Sequence, residues 1–429
     1  MESRSCTHAP PIDVLNQIFE LVIETCLVPR IVSIGTTTPH EKQKQAIALA
    51  SISRAWRAAA LQTPRLWNTI SISLDWDTDM VKEYWAWTVR RVKGVPVSLL
   101  IYDICEESRV RLEDLNGSSM RFKEMRLHLK HPGDAVLFPE SWRDYDIDTL
   151  RVDIYRQYSG RHGPHKSATP VELGHFVENV RRFELEGWDA TPARIADISS
   201  TRLFQLHLFS IRDIDIAGVL RSFPCLESLY FAGCGFRPLS SVSVATETRT
   251  LDVRNNKDDE WLSKVKFPKL QRISYDDTYS TSLEEFLKAH STIETIRLRV
   301  SSDVEFTRFL QLAAQITTLH IVLSGYVAWG GCIASQGAFP VLKRLGVSEW
   351  VNDIEPGQLG AVIKARCLPL HHPLSTATDS SRLLEEFCIE VGRTALCETV
   401  DVYQEATKRI VEIGPLRTKI YLSWPTEQE

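Results

Sequence analysis

The sequence predicts an α/β protein, in which a small N-terminal helical module is followed by an irregular repeat solenoid with a parallel sheet. Three observations predict it. A pattern of the form apolar-x-x-apolar-x-apolar recurs along most of the chain at a step of twenty-odd residues. Segments with apolar residues at helical spacing stand between the copies. The first seventy or so residues hold such helical segments and no clear copy. At 429 residues the chain is too long for one ordinary core, whereas stacked repeats extend a core layer by layer.

Composition narrows the function classes. The chain is 43% hydrophobic and 24% charged, enough apolar material for a sizeable core. Its net charge of −5, from 50 basic and 55 acidic residues, announces neither nucleic acid nor an anionic membrane as partner. The start, "MESRSCTHAPPID", lacks an apolar signal core, and no apolar run approaches the roughly 18 residues a bilayer requires. Nine cysteines, an odd number without a CxxC, read as reduced thiols. The expectation is an intracellular protein, cytoplasmic and/or nuclear, without a cofactor.

The N-terminal elements follow in order. "PPIDVLNQIFELVIETC" reads as a helix with Pro11 in its first turn, where a missing N–H costs nothing. Val14/Leu15, Ile18/Phe19 and Val22 make one apolar face. After a polar, turn-rich stretch, Leu49, Ile52, Trp56 and Ala59/Ala60 recur at helical spacing, so residues 45–61 read as one amphipathic helix. Thr63-Pro64 ends it, since the residue before proline avoids the α region. Ile70, Ile72 and Leu74 then alternate with Ser71 and Ser73, the period of a strand. So few residues carry more apolar surface than a helical hairpin buries, which points to a helix-docking partner.

These residues resemble the F-box motif, whose usual form runs Leu-Pro-x-Glu-Ile/Leu, Ile-Phe, Val-Cys-x-x-Trp. The resemblance spans residues 9–73, through "IDVLNQIF", "ALASISRAWRAAA" and "PRLW". Pro10-Pro11 stands for Leu-Pro, Asp13 for the Glu, and Ile52-Ser53 for Val-Cys, as in divergent F-box families of fungi. The resemblance implies docking on the Skp-type linker protein, and through it a cullin, of an SCF-type ubiquitin ligase. Pro11, Ile12, Leu15, Ile18, Phe19, Leu49, Ile52, Trp56 and Trp67 would be the linker-binding residues.

From Asp79 a helical stripe of Val81, Trp85, Val89 and Val92 runs to Gly94, and a strand follows Pro96. The organisation predicted is a helical module at 1–73, a connecting helix and cap at 74–96, and a solenoid at 97–429. The repeats begin with "FKEMRL", "IDTLRV" and "VRRFEL" and become clearer in "LFQLHLF", "LESLYFAGC", "LQRISY", "IETIRL", "ITTLHI" and "LKRLGV"; "TRTLDV" and "LEEFCI" are weaker copies. In the central run the fourth position falls at residues 206, 229, 251, 273, 296 and 319, steps of 22 or 23. Such a period with this pattern resembles the leucine-rich repeat, in which each copy contributes a short parallel strand. "IAGVLRSF", "TSLEEFLKAH" and "VEFTRFLQLAAQ" are the expected crossover helices, and "KIYLSW" a closing strand.

Within L-x-L the middle residue points away from the core. Arg126, Arg151, His207, Tyr230, Arg254, Arg297, Arg299 and His320 are therefore candidates for holding a target protein, since Arg and aromatic residues dominate binding hot spots. Insertions at residues 156–170, 324–337 (with Trp329) and 367–381 are expected as exposed loops, with a last helix in "DVYQEATKRIVEIG". No G-x-S-x-G, HExxH, P-loop or GxGxxG occurs, and Cys367 with His371 and His372 does not make up a metal-ligand set. The expectation is a substrate-recognition adaptor rather than an enzyme; the alternative is a repeat scaffold without a ligase.

Overall fold

The computed structural model describes residues 11–25, 39–154, 173–349, 356–367, 383–390 and 419–423, apart from 93, 116–119, 193–194, 196–198, 240–242, 246, 257, 278, 313, 325–326 and 336–338. The chain divides into two compact units, Met1–Cys225 and Leu226–Glu429.

The first unit opens with α1 (Ile12–Thr25), α2 (Pro39–Ser51) and α3 (Arg54–Gln62), closed by a 3-10 turn at Pro64–Trp67. The single helix expected over 45–61 is in fact two. Ser53 is extended, and its hydroxyl accepts the Trp56 N–H as the N-cap of α3. A serine that satisfies an orphan amide starts a new helix where the apolar spacing reads straight through. Then come β1 (Thr69–Ser73), α4 (Thr78–Val92), β2 (Val97–Ile104), α5 (Arg109–Glu113), β3 (Arg121–Leu129), β4 (Asp146–Ile154), β5 (Arg182–Pro192), β6 (Gln205–Arg212) and α6 (Ile216–Ser222). The strands pair in sequence order, β1 to β6, every pair parallel. Thr69–Ser73 is already a member of this ladder, so the parallel sheet starts ahead of residue 97. Gly94, with φ of 77°, provides the left-handed residue that turns α4 toward β2.

The second unit contains β7 (Ser228–Ala232), β8 (Ser243–Val244), β9 (Thr250–Arg254), β10 (Val265–Lys266), β11 (Arg272–Asp276), α7 (Thr281–Ala289), β12 (Thr295–Val300), α8 (Asp303–Leu310), β13 (Thr318–Leu323), α9 (Trp329–Ala334), β14 (Arg344–Glu349), α10 (Pro356–Val362), β15 (Glu386–Glu390) and β16 (Lys419–Ser423). Its main sheet runs β7-β9-β11-β12-β13-β14-β15-β16, again parallel throughout; β8 and β10 form a separate parallel pair.

The architecture is the α/β repeat solenoid that the sequence predicts, with the strand of each copy falling on its L-x-L. In-register pairing explains the constant step. Leu251, Ile273, Ile296, Leu319 and Leu345 occupy successive strands at one level. All five are buried, as are their partners two residues on, Val253, Tyr275, Leu298, Ile321 and Val347. Each layer buries two such residues per strand and the stack makes the core continuous.

One expected loop is corrected. Residues 324–337 include α9, and Trp329 is 1% exposed. Its indole is among the largest fully buried side chains, and α9 packs against α10. Residues 156–170, most of 367–381 and the helix expected in "DVYQEATKRIVEIG" lie outside the described residues.

Candidate functional site

Two surfaces bring the sequence-derived candidates together. The first is the helical module. Leu15 and Phe19 are fully buried, and the Phe19 ring meets Trp56 edge to face at 5.4 Å. Thr63 donates its hydroxyl to Asn16 Oδ1 at 2.9 Å, tying the end of α3 to α1. Trp67 is 5% exposed, donates its indole N–H to the Ala60 carbonyl at 2.7 Å, and meets Trp87 of α4 edge to face at 5.1 Å. Leu15, Phe19 and Trp67 therefore hold the module together from inside, with half-buried Trp56 bracing Phe19. Ile18 and Leu49 are also half-buried, while Pro11, Ile12 and Ile52 are exposed.

The exposed apolar residues are Ile12, Val14 and Leu21 from α1 and Ile47 and Ile52 from the α2 end. Val14, Ile18 and Leu21 are spaced by four and three, one stripe along α1 beside the buried Leu15–Phe19 stripe. Leu21 is 60% exposed and Ile52 58%. Sequence reading merged the two stripes into one face and passed over Val14, Leu21 and Ile47 as contact residues. The available signal was the width of apolar surface on α1, more than one packing partner needs.

The second is the sheet face opposite the core, taken within each unit by itself. Register places Arg126, Arg151, Glu184 and His207 in one row across β3 to β6. Another row, in the second unit, runs Tyr230, Asp252, Ser274, Arg297, His320 and Gly346 across β7 to β14. All eight candidates lie half-buried on the sheet face of their own unit.

Most of their charges are met within the sheet. Arg151 bonds Asp153 at 2.7 Å and Glu186 at 2.5 Å, with Glu184 at 3.7 Å. Burial works against its charge, but these carboxylates hold the guanidinium above its ordinary value. The hydrogen bond from His207 keeps Glu184 below the usual carboxylate range, with burial opposing. Arg254 forks onto both oxygens of Asp252 at 2.9 and 2.8 Å and lies over the Tyr230 ring at 5.2 Å. His320 Nε2 is 3.1 Å from Ser348 Oγ. Arg126 is 3.4 Å from Glu124, and Arg299 3.6 Å from Asp276. The ion pairs make these rows a largely neutralised polar lattice rather than rows of bare cations.

Two residues beyond Arg126 on β3, His128 is buried 3.4 Å from Asp153. Burial, then Arg126 and Arg151, push it down to about 3. Asp153 beside it accepts a hydrogen bond from Arg151 at 2.7 Å. Among the described residues no cluster of His, Cys, Asp or Glu could hold a metal ion. None of their helices is long and apolar enough to cross a membrane.

Fold and surfaces together define a parallel-strand repeat protein with an apolar-faced helical module at its start. No family model matches the chain, and no curated protein matches it. Among solved structures it is similar to the crystal structure of a complex of Rad7 and Elc1 in yeast, at 11% identity over 90% of each chain and a TM-score of 0.29. So low a score carries no argument about function.

Proposed function

We propose that the chain is the substrate-recognition adaptor of an SCF-type ubiquitin ligase. In this reading α1 to α3 dock on a Skp-type linker protein, and through it a cullin, while the open sheet face holds a target protein. The observation that carries it is the second apolar stripe: Val14, Ile18 and Leu21, with Ile47 and Ile52, stay exposed or half-exposed after the module has closed its own core. That stripe falls within the segment that resembles an F-box. An apolar helical face of this kind is what helix-to-helix docking uses.

The adaptor would carry out no bond chemistry. Its contribution would be positional, since tethering turns the encounter of target and ligase into an effectively intramolecular event. It would act in the cytoplasm, the nucleus or both. Retention of the purified full chain on an immobilised Skp-type linker protein tests the reading. Retention supports it; loss of retention by chain of verified fold leaves the scaffold reading.

A further inference from the structure

A cleft of about 320 Å³ in the second unit shares Arg299 with the sheet face and is otherwise lined by none of the candidates. It is lined by Asn255, Asp276, Asp277, Tyr279, Arg299, Ser301, Glu305 and Ser324. Asn255, Asp277, Ser301 and Ser324 follow the C-terminal ends of β9, β11, β12 and β13; Tyr279 precedes the N-cap of α7, and Glu305 lies in the first turn of α8. The carboxyl ends of parallel strands are where α/β sheets most often place ligands, and the volume is at the small end of ligand sites.

The lining selects a ligand class. It holds three carboxylates against one guanidinium, and Arg299 faces Asp276. An anion would meet net repulsion. A metal ion is disfavoured by what the carboxylates already do. Asp277 accepts the Asn256 N–H, and Glu305 accepts the Ser301 N–H at 2.9 Å. Two groups remain unsatisfied. Asp276 Oδ1 is buried with no hydrogen bond, since Arg299 stays at 3.6 Å. The Tyr279 hydroxyl also has no partner, in a side chain only 8% exposed. The Arg299 charge offsets part of the desolvation cost of Asp276, and a hydrogen-bond donor entering the cleft would relieve more. Burial raises Asp276, with Arg299, Arg297 and Arg254 opposing, and burial raises Asp277, with the Asn256 N–H opposing.

We propose that this cleft binds an organic cation, a primary ammonium or guanidinium group, carried by a small molecule or by a lysine or arginine side chain of a bound protein. Such groups bring three to five N–H donors, enough to reach Asp276, Tyr279 and the surrounding amide and hydroxyl oxygens. Binding here is independent of whether α1 to α3 dock a linker protein.

Calorimetry on the full chain tests it with N-acetyl-arginine amide, N-acetyl-lysine amide and the neutral N-acetyl-citrulline amide. A second arm uses a peptide containing one arginine and its citrulline counterpart. The cationic probes should bind at least about tenfold more tightly than citrulline, a gap of about 1.4 kcal/mol. Asp276→Asn should remove that preference and Tyr279→Phe should weaken it several-fold, both with the fold retained by hydrogen exchange. Tighter binding of the peptide than of the amide assigns the cation to a protein partner; equal binding assigns it to a small molecule. Citrulline binding as well as arginine, or Tyr279→Phe and Asp276→Asn both binding like wild type, overturns the proposal. So does the absence of saturable binding below about 10 mM, weaker than any specific site of this size.

Discussion

Phe19→Ala separates the residues that hold the helical module together from those that remain outside it. Phe19 is 0% exposed and its ring meets Trp56 edge to face at 5.4 Å. Removing the ring forfeits about 1.5–3 kcal/mol of transfer energy and about 0.5–1.5 kcal/mol of aromatic pairing. With the cavity left between α1 and α3, the loss comes to about 3–5 kcal/mol. Amide hydrogen exchange over α1 to α3 reads this locally. Protection should fall by about two to three and a half powers of ten, at 1.4 kcal/mol per power. Leu21→Ala, at a side chain 60% exposed, should change protection by less than about 0.5 kcal/mol. Protection of the Phe19→Ala module within about 1 kcal/mol of wild type would refute the assignment of Phe19 to the interior.

Two further predictions concern stability. A Cβ at Gly330 would lie 2.3 Å from the Gln358 carbonyl oxygen, so Gly330→Ala should push α9 from α10 and cost about 1–3 kcal/mol by urea denaturation, an effect that a denaturation midpoint equal to wild type would exclude. His128 is held neutral in the fold, down to about 3, so the folded state binds fewer protons than the unfolded one. Its contribution is therefore complete above about pH 6.5, the unfolded value, and is lost as pH falls toward 3, at up to about 1.4 kcal/mol per pH unit. His128→Gln should flatten that acid limb of the stability profile; an unchanged slope would contradict it.

Much of the repeat region was legible because it depends on local alternation. In "IETIRL" and "ITTLHI" the buried Ile296, Leu298, Leu319 and Ile321 follow directly from period two, and constant spacing implies parallel neighbours. The outward orientation of Arg151 and Arg254 was equally legible. Their neutralisation was only partly so. Asp252 lies two residues from Arg254 on one strand, but Glu184 and Glu186 reach Arg151 across the β4–β5 register. The α2–α3 break was hidden because Ser53 acts through its own hydroxyl while the apolar spacing carries on through it. Trp329 was misplaced because "AWGGCIA" has the glycines of a turn, yet Gly330 serves there to let α10 approach closely. The cleft at Asp276 left no sequence signal, since its lining comes from the ends of four strands, each carrying unremarkable polar residues.

The most direct test is the dissociation constant of the full chain for a Skp-type linker protein, measured for wild type and for Leu21→Asp and Ile52→Asp. Both side chains are exposed and outside the module's core, so hydrogen exchange should show each variant folded as wild type. The account predicts saturable binding by wild type and a loss of at least about 30-fold in each variant, the roughly 2 kcal/mol of an interface hot spot. Wild-type chain that fails to bind, or folded variants that bind as tightly as wild type, would contradict it.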